Sequence, residues 1–104
     1  MRAIGRTGSI DLHDGWLTIT RIVDVSPTTR MVKYLTDLHH EPATAERRGS
    51  LQLDFVNASF HFDYLATEAG AFANLVEAIE NLRPGLKKKR GWTLNPIRDW
   101  LRGL

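Results

Sequence analysis

The sequence predicts an α+β fold: an antiparallel β-sheet or barrel of six to seven strands, capped by one C-terminal α-helix and followed by a short amphipathic tail helix. Three observations predict it. Apolar and polar residues alternate through the first two-thirds of the chain, the signature of half-buried strands. Between residues 67 and 83 the apolar residues Phe72, Leu75, Val76, Ile79 and Leu82 take the spacing of one helical stripe. A basic run and a second, shorter stripe then follow Pro84. A chain of 104 residues suits one small domain. The expected division is a body over residues 1–83 and a basic amphipathic tail over 84–104.

Each element has a local cause. Residues 1–6 read as a frayed end or an edge strand. In "GSIDLHDGWLTITR", Asp14-Gly15 is a preferred pair for a two-residue type I′ turn. That turn sets His13 opposite Trp16, Leu12 opposite Leu17, Asp11 opposite Thr18 and Ile10 opposite Ile19. Opposed residues share a face, so the apolar pairs fall together, and a slip of one residue would scatter them. Ser26-Pro27 punctuates the chain before "RMVKYL" and "LHHEP", two short strand candidates. Within the polar stretch 42–50, residues 43–48 read as a mobile loop.

"SLQLDFVNASFHFDYL" reads as a second hairpin, folded about Asn57-Ala58. Phe55 then opposes Phe60, Leu53 opposes Phe62, and Leu51 opposes Tyr64. On the other face Asp54 opposes His61 and Gln52 opposes Asp63. Thr67 reads as the helix N-cap with Glu68 in the first turn, and Arg83-Pro84-Gly85 as the stop. A helix with one apolar face after a run of antiparallel strands must cover the sheet or its open end. In the tail, Asn95 caps a short helix with Pro96 at its first position. Its stripe is Ile97, Trp100, Leu101 and Leu104. Such a segment is marginal alone in water and needs a surface to dock on.

Composition narrows the chemistry. The chain has no cysteine, which removes disulfides, thiolate zinc sites and cysteine nucleophiles. The N-terminus carries no apolar h-region, and no apolar run approaches the ~18 residues of a spanning helix. A cytoplasmic protein is expected. Charge is unevenly spread: six of the 14 Lys and Arg residues but only one acid, Asp99, lie after residue 83. An acidic body with a basic appendage suggests two separate jobs.

His13-Asp14, with Asp11 upstream, resembles a metal-dependent phosphohydrolase dipeptide. Here it is the corner of a hairpin, and a metal site needs three or four ligands. In His39-His40-Glu41, strand alternation lets His39 and Glu41 share a ligand but turns His40 away, so it reads as a polar strand end. His61 reads as the cross-strand partner of Asp54. No nucleophile lies in a recognisable motif, and no glycine-rich phosphate loop is present. No catalytic, cofactor or metal residues are assigned. Lys87, Lys88, Lys89 and Arg90 are the candidate anion-binding run, read structurally as a solvated linker. Trp92, Ile97, Trp100, Leu101 and Leu104 are the candidate partner-binding residues, because exposed tryptophans mark interfaces.

"GSIDLHDGWLTITR", "LHHEPATAERRGSLQLDF" and "FHFDYLATEAGAFANLVEAIE" together resemble a bacterial, mostly actinobacterial, pleckstrin-homology (PH)-like family of unknown function. The resemblance covers residues 8–83, and its motifs are turn glycines and core positions. It implies a PH-like domain that works as a binding or assembly module rather than an enzyme. Phosphoinositide binding through the first loop is disfavoured, because Asp14-Gly15 offers no Lys or Arg donors for phosphate. Three readings follow. The first is a non-enzymatic module for protein–protein interaction or self-association as a homo-oligomer. The second is a peripheral adaptor on an anionic membrane surface, bound through the basic, Trp-containing tail. The third and weakest is nonspecific nucleic-acid binding, which would fall steeply with salt.

Overall fold

The structure, a computed structural model, describes residues 1–89. The tail helix expected near residues 95–104 lies outside the described residues. The body is α+β, with two four-stranded sheets and one α-helix. The first sheet has the order β1 (Arg2–Ile4), β2 (Gly8–His13), β3 (Trp16–Arg21), β4 (Thr28–Met31), all antiparallel. The second has the order β7 (Ala58–Tyr64), β6 (Gly49–Phe55), β5 (Leu35–Glu41), β8 (Lys87–Lys89). Seven strands are antiparallel, and β8 joins β5 in parallel. Residues 1–6 thus supply an edge strand, and the described strands number eight rather than six or seven.

The first hairpin takes the expected register, with Ile10 opposite Ile19 and Leu12 opposite Leu17. All four are buried. Asp14 at φ 49° and Gly15 at φ 79° supply the two left-handed residues of the turn. The second hairpin corrects the sequence reading. Its turn is Val56-Asn57, so Phe55 opposes Ala58, Leu53 opposes Phe60, and Leu51 opposes Phe62. A turn centred on Asn57-Ala58 would need positive φ at Ala58, which is costly; neither Val56 nor Asn57 adopts it. The shift is two residues, so every side chain keeps its face. Leu51, Leu53, Phe60, Phe62 and Tyr64 are still buried.

Helix α1 (Ala69–Leu82) follows a 3₁₀ turn at Ala66–Glu68. Thr67 is not its cap. Instead the Glu68 carboxylate turns back, accepting the Leu65 N–H at 2.8 Å and an Arg6 guanidinium N–H at 2.8 Å. The Leu65 amide, the Arg6 hydrogen bond and the Arg6 and Arg48 charges outweigh the desolvation that would raise it, and hold the Glu68 carboxyl below its ordinary value. Phe72, Leu75, Val76 and Ile79 are buried as the stripe requires, whereas Leu82 is left exposed. The two sheets are joined where Arg6 N–H donates to Asp63 O at 2.7 Å and Asp63 N–H donates to Thr7 Oγ1 at 3.1 Å. At the far end of α1, Arg83 Nε donates to Leu35 O at 2.8 Å. That bond delivers the chain to the start of β5, ready to run beside it.

Candidate functional site

The second sheet carries the densest polar chemistry of the described residues, and β5 organises it. Alternation along "LTDLHHE" sends Leu38 and His40 inward while Asp37 and His39 stay half-buried on the outer face. His40 is a buried polar residue at 9% exposure. Its Nε2 shares a 2.6 Å hydrogen bond with the Tyr64 hydroxyl. Tyr64 in turn stacks on Phe72, with ring centroids 4.3 Å apart and planes 6° from parallel. Burial pushes the Tyr64 phenol up, and a hydrogen bond from the Ala43 backbone opposes that rise. A buried polar pair satisfied in this way fixes the core geometry.

On the outer face Asp54 of β6 collects three donors. Gln52 Nε2 reaches Oδ1 at 2.9 Å, Ser59 Oγ reaches Oδ1 at 2.8 Å, and His39 Nε2 lies 2.9 Å from Oδ2. Burial alone would raise the Asp54 carboxyl. The bonds from Gln52, Ser59 and His39, with the His39 charge, outweigh it and hold the group below its ordinary value. The stabilisation this represents is complete above an ordinary aspartate value of about 3.9. It is lost as pH falls through the lower folded value. Asp54→Ala is therefore expected to cost about 1–3 kcal/mol at neutral pH. The gap to wild type should narrow in acid, which urea unfolding at several pH values reads directly.

His61 is not the partner of Asp54. The two-residue register shift puts Gln52 opposite His61, and His61 Nε2 contacts Asp63 Oδ1 on its own strand at 2.9 Å. Nor does His39 gather with Glu41. The structure brings it to Asp37 and Asp54, whose nearest oxygens and the His39 nitrogen all lie within 4.8 Å of one another. Asp37 and Asp54 are directly opposed across β5 and β6. The set has the ligand types of a cation site, but the hydrogen bond between His39 and Asp54 already uses two of its atoms. At the first hairpin, His13 Nε2 lies 3.2 Å from Asp14 Oδ2 with both side chains 82% exposed, and Asp11 lies instead 3.6 Å from the N-terminal ammonium.

The basic run departs from the linker reading. Lys87, Lys88 and Lys89 form β8, with Lys87 at the register of Asp37, Lys88 at that of Leu38 and Lys89 at that of His39. The free edge of β5 explains why. Its outward backbone groups need partners, and the short link from α1 leads the chain along it. Arg90, Trp92, Ile97, Trp100, Leu101 and Leu104 lie outside the described residues. A second surface was not foreseen. The β3–β4 loop exposes Ile22, Val23 and Val25, and Ile22 lines a shallow hollow with Ile4. Arg21 and Arg30 of the first sheet lie over the Phe60 ring of the second at 5.0 and 5.7 Å.

Comparison with protein-family models, curated proteins and solved structures finds no match to this chain. Among the described residues no helix is long and apolar enough to cross a membrane.

Proposed function

We propose that this chain is a PH-like, non-enzymatic binding and scaffold module that mediates protein–protein interaction or self-assembly. Four antiparallel strands, three more, and then one helix packed across them support the PH-like reading. The observation that carries the functional reading is the edge of β5, which takes an added strand, Lys87–Lys89, from beyond the helix. Strand addition gives affinity through main-chain hydrogen bonds and specificity through alternate side chains. The sequence that follows β8 carries two tryptophans, Trp92 and Trp100, and the apolar stripe of Ile97, Leu101 and Leu104.

In this reading Ile97, Trp100, Leu101 and Leu104 dock on a partner or a second copy. Light scattering after size exclusion should find a defined oligomer of the full chain at moderate salt, and a monomer for Trp100→Ala. An oligomer unchanged by Trp100→Ala would remove the tail stripe from the interface.

The exposed apolar loop at Ile22, Val23 and Val25 favours a second reading, an adaptor on an anionic lipid surface. It predicts flotation with anionic liposomes that weakens when Ile22→Ser and Val23→Ser are introduced and disappears when residues 86–104 are deleted.

A further inference from the structure

We propose that β8 is a guard over the β5 edge, and that the edge beneath it is a latent pairing surface for the same edge of a second copy. Uncovered strand edges pair with other chains, and lysine is a residue that natural sheets use to prevent it. Lys87–Lys89 is three lysines long and lies along the one side of β5 that β6 leaves open. It is also a weak occupant. It spans three residues against the seven of β5.

The strand beneath is self-complementary. Antiparallel pairing of β5 with its copy about Leu38 sets Leu38 opposite Leu38 on the inner face. On the outer face it sets Asp37 opposite the partner copy's His39, and His39 opposite the partner copy's Asp37. An imidazole directly opposite a carboxylate can hydrogen-bond across the strands and so favours the register, and the two-fold relation forms that one pair twice. The product is one sheet running through both copies. The proposal rests on the self-assembly reading above, but it places the contact at the sheet edge rather than at the tail stripe.

The test uses the full chain with Lys87→Pro and Lys88→Pro. Two successive prolines remove at least one β8 donor whichever residue points toward β5. Light scattering in one buffer should give twice the wild-type mass. The doubling should persist when Trp100→Ala is added to both chains, and should vanish when Asp37→Lys is added to the proline variant. A folded proline variant with wild-type mass would overturn the proposal. If the prolines impair folding, the charge-reversed chain Lys87→Glu with Lys89→Glu loosens β8 without removing donors. It should show the same doubling, and wild-type mass from that folded chain would overturn the proposal equally. The wild-type mass alone reports the tail reading and the ratio between variant and wild type reports the edge, so the two fail separately.

Discussion

Phe72→Ala is expected to lower the unfolding free energy by about 3–5 kcal/mol, a large fraction of the ~5–15 kcal/mol typical of a folded domain. Phe72 is fully buried on the first turn of α1. Its ring stacks on Tyr64 of β7 and closes against Gly5, where an added Cβ would stand 3.1 Å from its Cζ. One side chain thus joins the helix to the second sheet and to the link between β1 and β2. Removing it leaves a cavity whose walls are held by strand backbone, so collapse is limited. Urea unfolding of Phe72→Ala and Phe72→Leu should show a large loss for the first and a distinctly smaller one for the second.

Gly49→Ala is expected to cost about 3 kcal/mol, the upper part of the usual range for overpacking. A Cβ there would stand 2.3 Å from Tyr64 Cζ, 2.5 Å from Cε1 and 2.7 Å from the Ala43 backbone nitrogen. Tyr64 has little freedom to yield, because Phe72 stacks on one side of it and His40 holds its hydroxyl. The two substitutions should not add. Opening the Phe72 space lets Tyr64 withdraw from a new Cβ, so Phe72→Ala with Gly49→Ala should cost less than the sum of the two. Thermal unfolding of the four chains of the cycle measures that coupling. Full additivity would mean that Tyr64 does not carry the strain.

How much of this was legible from sequence depended on whether local chemistry set the pairing. Asp14-Gly15 names its own turn type, so the whole first hairpin followed in register. Val56-Asn57-Ala58 contains no glycine, and the choice of turn there depends on avoiding positive φ at Ala58 rather than on a preferred dipeptide. The face of each strand residue survived that two-residue shift, but the partner of Asp54 did not. The Asp37–His39–Asp54 cluster was also hidden, because β5 and β6 are joined across residues 42–48 and a loop of that length does not fix a register. Alternation in "LTDLHHE" did separate His39 from His40. Glu68 displaced Thr67 at the helix entrance because a carboxylate that also takes Arg6 is the better acceptor, and that partner lies 62 residues away. Three lysines in a row read as solvated on charge alone. Only the open side of β5 gives their backbone somewhere to pair.

The edge of β5 holds an added strand, Lys87–Lys89. Amide hydrogen exchange followed residue by residue, on the full chain at low protein concentration, tests this pairing most directly. The β5 amides that point away from β6 should be protected well beyond those of β4 that point away from β3, an edge that carries no added strand among the described residues. If these β5 amides exchange as fast as their β4 counterparts, no strand lies along β5, and both the strand-addition reading and the guard role of Lys87–Lys89 are contradicted.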